Sequence, residues 1–135
     1  MSKTEKWLKF IAIIHIIGGV LLPLVVFTPI ATPYFEYLLG TFPQGDLTSM
    51  RFLIGVFGPT VASWGLLFYY TVGKAFQSRT TKDWWFLVTA ILIWSVLDTM
   101  FSLHFGVTSH FYINALIVLL LLIPILIQKS QFSKE

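Results

Sequence analysis

The chain has 135 residues, of which 56% are hydrophobic and 11% are charged, and its formal net charge is +3. A soluble domain carries about 25% charged residues, so the composition excludes an ordinary water-soluble fold and predicts one membrane domain, residues 1–135. The basic residues lie between apolar runs and form no basic patch with interleaved aromatics, which argues against nucleic-acid binding, and the lack of cysteine excludes disulfides and thiolate metal sites.

Four apolar runs follow one another along the chain, each about as long as a helix that crosses a hydrocarbon core of ~30 Å. They cover approximately residues 8–27, 52–73, 84–103 and 107–127. Backbone polar groups find no water partner in lipid, so a helix is the favourable conformation for each run. The sequence therefore predicts an all-α fold, a bundle of four transmembrane helices. The first run exceeds the apolar part of a signal peptide, so we expect it to be retained.

The first connection, residues 28–51, contains a predicted short helix. Thr32 suits the N-cap, Pro33 the first helical position and Gly40 the helix end. The segment is aromatic and barely charged, so we expect an interfacial helix in the first outer loop. A second helix start is predicted at Asp46-Leu47-Thr48-Ser49, where Asp46 would be the N-cap of the second span.

The distribution of basic residues predicts the orientation in the membrane. Most of them lie at the N-terminus, in the second connection and at the C-terminus: Lys3, Lys6, Lys9, Lys74, Arg79, Lys82, Lys129 and Lys134. The first and third connections carry one, Arg51. Because cytoplasmic loops carry the excess of lysine and arginine, we expect a multi-pass protein of the cell membrane with both termini inside.

Polar residues of different spans are predicted to meet at one depth. The third and fourth spans turn near Gly106, with Asp98 eight residues before the turn and Asn114 eight residues after it. Both should therefore lie about 10 Å below the outer surface, at 1.5 Å per residue. A similar count from the second turn places Asp98 opposite Gly58 and Pro59.

Prolines and small residues in the first two spans affect helix hydrogen bonding and helix packing. Pro23 cannot donate a hydrogen bond to the carbonyl of Gly19, and Pro59 cannot donate one to that of Gly55. Each proline therefore frees a carbonyl in the outer half of its helix. A stripe of small residues on the second span predicts close helix packing, and it consists of Gly55, Gly58, Ala62 and Gly65.

Asp98 is the main candidate for a functional residue, because an acid within a membrane costs about 2.5–3.5 kcal/mol or more at the centre and normally faces a bundle interior or water. Ser95 and Ser102 share its helix face, and Asn114 lies opposite. These residues are candidates for a ligand-binding site, to which Arg51 contributes if its side chain points inward. The alternative is that Asp98 bonds Asn114, Ser95 or freed amides and serves only to hold the helices together.

Two histidines complete the set of candidate ligand-binding residues. His15 either makes an interhelical hydrogen bond or takes part in a proton step or a ligand contact. His104, like His110, flanks the third turn. Asp98 and His104 are six residues apart and point to different sides of a helix, so we expect no metal site. No cofactor motif is present, so we expect no cofactor.

Three segments carry a resemblance to a known group: His15-x-x-Gly18-Gly19, Gly58-Pro59-Thr60-Val61-Ala62-Ser63-Trp64-Gly65, and Leu97-Asp98-Thr99-Met100-Phe101-Ser102-Leu103-His104. With the length and the four spans, they resemble the BphX-like group of small bacterial membrane proteins. The resemblance covers nearly the whole chain and implies a bacterial inner membrane. It supplies no activity and transfers no site residue. A coarser likeness to four-helix sterol-isomerase-like domains is not extended to their chemistry, because those domains hold more acids.

Three functions stay open. The first is binding of a small amphipathic or lipid-like molecule in a polar pocket that faces the outer leaflet. The second is an accessory or homo-oligomeric interaction subunit of a membrane complex, which the small-residue stripe and minimal loops would suit. The third is an intramembrane enzyme that uses Asp98 as acid and base on a lipid-soluble substrate. We rank binding first and the enzyme last, because no second catalytic group is evident at the depth of Asp98.

Overall fold

The computed structural model describes residues 1–133, which form five α-helices and two short 3-10 helices and contain no β-strand. The α-helices are α1 (Lys3–Val25), α2 (Thr32–Thr41), α3 (Leu47–Ser78), α4 (Thr81–His104) and α5 (Thr108–Ile127). The 3-10 helices are Pro29–Ala31 and Lys129–Gln131. Lys134, one of the C-terminal charges used to predict the orientation, lies outside the described residues.

Four of the helices, α1, α3, α4 and α5, are long and apolar enough to cross a membrane. They have 23, 32, 24 and 20 residues, and each is about 30 Å long or longer at 1.5 Å per residue. The prediction of an all-α chain with four such helices is confirmed, and the chain has the features of a multi-pass membrane protein. The division into one domain stays a prediction.

The helix α3 begins and ends as its flanking residues dictate. Asp46 accepts a hydrogen bond from the backbone N–H of Ser49 at 2.9 Å, which confirms the predicted cap. At the other end, Arg79 adopts a left-handed φ of 56° and turns the chain within two residues. Thr80 then caps α4, because its hydroxyl accepts from the N–H of Asp83 at 3.1 Å.

The short helix α2 differs in detail from its prediction. The sequence predicts Thr32 at the N-cap, but Thr32 is the first helical residue, with φ −54° and ψ −50°. The reason is that the 3-10 helix before it leads directly into α2, so the N–H of Thr32 already donates to the carbonyl of Pro29. Gly40 lies inside the helix, which ends at Thr41. The position of α2 at a membrane interface stays a prediction.

The chain divides into two compact units. The first unit contains Met1–Ile11 and the chain from Phe68 onward, and the second unit is Ala12–Leu67. In the second unit, the small-residue stripe of α3 packs directly on α1. A Cβ atom added to Gly58 would lie 2.5 Å from the carbonyl oxygen of Gly19, and one added to Gly65 would lie 2.9 Å from that of Ala12. The prediction of close packing is confirmed for these two glycines.

The first unit has an apolar core, and two indole groups tie its helices together. Its most buried side chains include Leu8, Val72, Leu87, Ile91, Leu121 and Ile125. The indole N–H of Trp84 donates to the carbonyl of Ile125 at 3.0 Å. The indole N–H of Trp7 donates to the carbonyl of Leu120 at 2.9 Å. Pro124 has no N–H to offer that carbonyl, so Trp7 replaces the missing helical donor.

Candidate functional site

A group of polar side chains lies in the hairpin that α4 and α5 form in the first unit. The hairpin turns at Gly106, whose φ of 76° suits glycine because it has no Cβ. The N–H of Val107 donates to the carbonyl of Ser102 at 2.8 Å and closes the turn. Residues that lie the same number of positions before and after Gly106 in the sequence therefore face each other.

Asn114 is the buried centre of this group, with 4% of its surface exposed. Its side-chain amide donates to Asp98 Oδ2 at 2.6 Å and to Thr99 Oγ1 at 2.9 Å. Both hydrogens of the amide are thus used. Two consecutive residues of α4 are held by one residue of α5, which fixes the register of the two helices at this level.

His110 forms the second part of the group, one turn closer to Gly106. Its Nδ1 lies 2.9 Å from Ser102 Oγ and 3.8 Å from Asp98 Oδ2. The imidazole accepts from the serine hydroxyl in one tautomer and donates to it in the other. We call Asp98, Thr99, Ser102, His110 and Asn114 the hairpin cluster.

Asp98 is the member of the hairpin cluster that keeps an unused hydrogen-bond acceptor. Its side chain is 34% exposed, and Asn114 occupies Oδ2. Among the described residues, no donor forms a hydrogen bond with Oδ1 of Asp98. The carboxylate is therefore fixed in position through one oxygen and keeps the other available for a molecule that offers a proton or a positive charge.

Two of the predicted site residues make their contacts elsewhere in the first unit. Ser95 is buried, and its hydroxyl donates to the carbonyl of Leu92 at 3.3 Å, a bond within its own helix. His104 is exposed at the end of α4, and its ring meets that of Phe105 edge to face at 4.9 Å. The structure brings Asp98, Asn114 and Ser102 together and does not bring Ser95 or His104 into their hydrogen bonds.

The other two predicted site residues lie in the second unit. The guanidinium of Arg51 lies 5.9 Å from the ring centre of Phe27 and 5.8 Å from that of Phe35, at distances typical of cation–π contacts. The ring of His15 lies 5.0 Å from that of Trp64. The interpretation of both residues as ligand contacts stays a prediction.

Two members of the hairpin cluster, His110 and Thr99, are not among the site residues predicted from the sequence. A signal for His110 was available, since Ser102 and His110 lie four residues before and after Gly106, just as Asp98 and Asn114 lie eight before and after. In the described residues, no group of three or more His, Cys, Asp or Glu side chains could hold a metal ion.

Comparison with known proteins gives no match: no family model, no curated protein and no solved structure matches this chain. The likeness to the BphX-like group therefore stays a prediction, and a function for this chain has to be inferred from the chemistry of the hairpin cluster.

Proposed function

We propose that this protein is a multi-pass protein of the cell membrane that binds a small amphipathic or lipid-like molecule, whose polar head Asp98 receives. In this proposal both termini are inside the cell, the hairpin turn at Gly106 faces outward, and α2 lies on the outer leaflet. The single observation that carries the proposal is the state of Asp98, which is held at Oδ2 by Asn114 and open at Oδ1.

The energetics of an acid in lipid support this proposal. Asp98 belongs to α4, one of the helices able to cross a membrane, and a charged residue in such a helix costs about 2.5–3.5 kcal/mol at the bilayer centre. A purely structural role would favour a carboxyl group whose two oxygens are both bonded within the protein. One half-open carboxylate beside the buried amide of Asn114 is the arrangement expected of a binding site that gives orientation to an apolar ligand.

The partly exposed side chains of Asp98 and His110 favour one second candidate, an enzyme that acts on a lipid-soluble substrate. His110 is a second titratable group near Asp98, and its Nδ1 lies 3.8 Å from Oδ2. Such a pair can move a proton on a bound substrate. The interaction-subunit alternative receives less support, because Gly58 and Gly65 of the small-residue stripe pack within the protein on α1.

The test is mass spectrometry of the small molecules that co-purify with the protein in a mild detergent. Three proteins are compared: the wild type, Asp98→Asn, and Glu36→Gln as the matched control. Glu36 is exposed on α2, so its substitution removes one carboxylate without changing the hairpin cluster. We expect a distinct molecule with the wild type and with Glu36→Gln, and its loss or strong depletion with Asp98→Asn. Identical bulk lipid in all three samples would contradict the proposal.

A bound molecule would also decide between binding and catalysis. It is incubated with the wild-type protein and with His110→Asn, and its conversion is followed by the same mass spectrometry. Conversion by the wild type and its loss in His110→Asn would establish the enzyme. An unchanged molecule in both incubations would leave binding as the function.

A further inference from the structure

We infer that the polar head of the ligand is a protonated primary or secondary amine, whose N–H donates to Oδ1 of Asp98. This inference rests on the proposed function and names the chemical class of its ligand. It is based on the charge of the hairpin cluster and on the hydrogen-bonding capacity that its side chains leave unused.

The carboxylate of Asp98 has no hydrogen-bonded cation within the hairpin cluster. Its bonded partner, Asn114, is a neutral amide, and Thr99 and Ser102 are neutral hydroxyls. The nearest cationic candidate among the described residues of the cluster is His110, but its Nδ1 lies 3.8 Å from Oδ2, beyond hydrogen-bond length, and is engaged by Ser102 at 2.9 Å. Within the hairpin cluster, the carboxylate of Asp98 therefore receives no hydrogen bond from a cation, and its Oδ1 stays open to a donor from a ligand.

The lysines of the same hairpin are too distant along their helices to reach Asp98. Lys82 precedes Asp98 by 16 residues in α4, which corresponds to roughly 24 Å at 1.5 Å per residue. Lys129 follows α5, at the end opposite to the turn, and its ammonium lies over the ring of Trp84 at 5.1 Å. Neither lysine of this hairpin brings its ammonium group to Asp98.

An ammonium head group suits the open Oδ1 of the Asp98 carboxylate better than the other common polar head groups do. A hydroxyl can donate to Oδ1, but it leaves the charge in place, whereas a hydrogen bond between an ammonium and a carboxylate is both charge-assisted and strengthened by low dielectric. A quaternary ammonium carries the charge but has no N–H to donate, and sites for such groups are built from aromatic faces. A phosphate or carboxylate head would be repelled by Asp98.

Three twelve-carbon probes separate these classes: dodecylammonium, dodecanol and dodecyltrimethylammonium. Each labelled probe is equilibrated at neutral pH with wild-type protein in phosphatidylcholine nanodiscs, and the saturable binding above that of empty nanodiscs is measured. We expect dodecylammonium to bind at least about tenfold more tightly than either other probe, because it alone combines charge and donor. This comparison needs no substitution, so it does not depend on how well a variant folds.

The site is then located with Asp98→Asn and the control Glu36→Gln. We expect the affinity for dodecylammonium to fall about tenfold or more in Asp98→Asn and to stay unchanged in Glu36→Gln. Dodecanol or the quaternary probe binding as tightly as dodecylammonium, with the same dependence on Asp98, would overturn the amine inference and leave the proposed function intact. Weak binding of all three probes together with Asp98-independent lipid in the co-purification experiment would overturn both.

Discussion

At the scale of single residues, one buried amide organises the polar part of the α4–α5 hairpin. Asn114 directs both of its N–H groups to α4, one to Asp98 and one to Thr99. In our proposal, Asn114 therefore has a structural role and Asp98 receives the ligand. The two roles predict different consequences of substitution, because a structural residue affects unfolding and a ligand-binding residue affects occupancy.

Replacement of Asn114 should weaken the hairpin. Asn114→Ala removes two hydrogen bonds between helices, each worth about 0.6 kcal/mol on average in a membrane and up to about 1.7, so we expect a loss of about 1–2 kcal/mol in the free energy of unfolding. Reversible unfolding in mixed micelles measures it. The neighbouring Ile113 is 49% exposed, and Ile113→Ala is the control. Equal losses in the two variants would show that the hydrogen bonds do not hold the hairpin.

Trp7 should contribute stability through its hydrogen bond rather than through its ring alone. Trp7→Phe keeps an aromatic ring but leaves the Leu120 carbonyl without the donor that Pro124 cannot provide. We expect a loss of about 1 kcal/mol in the free energy of unfolding. Trp85→Phe is the control, since Trp85 is 53% exposed and its ring meets that of Trp84 edge to face. A loss in Trp7→Phe no larger than in Trp85→Phe would contradict this role.

The residues of the candidate site could be predicted only in part. Counting from Gly106 places Asp98 opposite Asn114, because a short hairpin leaves little freedom in register. The same periodicity places Ser95 on the face of Asp98, but a serine in a helix can donate to its own backbone, as Ser95 does to Leu92. Residue spacing alone does not tell whether a serine hydroxyl on this face bonds to Asp98 or to the backbone of its own helix.

At the scale of helices, the packing of α1 on α3 depends on the two glycines Gly19 and Gly58. A Cβ on either one would lie 2.5 Å from the carbonyl oxygen of the other, a separation that real Cβ atoms do not show. The carbonyl of Gly19 is the one that Pro23 leaves without a helical donor. It lies 2.5 Å from the point that a Cβ of Gly58 would occupy, so any side chain at residue 58 would collide with it.

Gly58→Ala should therefore disturb the second unit. The added methyl meets backbone, which must move, so we expect a loss of about 1–3 kcal/mol in the free energy of unfolding. Gly18→Ala is a close control, because a Cβ at Gly18 would find no atom within 4 Å and alanine favours a helix over glycine. The comparison uses reversible unfolding in mixed micelles. A neutral Gly58→Ala would mean that the two helices can separate without cost.

The start of α3 should respond to acid. The hydroxyl of Ser49, and then its backbone N–H, hold the pKa of Asp46 below its usual value. A lowered pKa in the folded state means that the cap stabilises α3 above the pKa of an unfolded aspartate, about 3.9. This stabilisation is lost as the pH falls through the lower pKa of the folded state.

The amide resonance of Ser49 reports on this cap directly. In the wild type we expect it to titrate with a midpoint below that of an ordinary aspartate. In Asp46→Asn, whose side-chain oxygen can accept the same bond without titrating, the resonance should show no such transition. A Ser49 transition that persists in Asp46→Asn would show that another group is responsible.

The helices were predictable in number and approximate position, and less so in length. The apolar run of residues 52–73 predicts the centre of α3, but the helix continues for five residues in each direction. The extensions, residues 47–51 and 74–78, contain polar and charged side chains that hydropathy counts against a span. They stay helical because Asp46 caps one end and the left-handed Arg79 ends the other.

At the scale of the whole molecule, the proposed orientation makes a prediction about accessibility. The chain has no cysteine, so single cysteines can be introduced at the exposed positions Gln44 and Ser130. With both termini inside, an impermeant thiol reagent added to intact cells should label Gln44→Cys and should label Ser130→Cys only after the cells are opened. The reverse pattern would invert the orientation and place the hairpin turn at Gly106 on the inner side.

The bond between Trp7 and Leu120 has a consequence for the timing of synthesis. Its partners are 113 residues apart, so the bond cannot form before the segment that contains Leu120 has been synthesised. A truncated chain that ends before α5 would insert its first helix but would offer Trp7 no carbonyl from Leu120. The contact between α1 and α5 therefore belongs to a late stage of folding, after α5 has been synthesised.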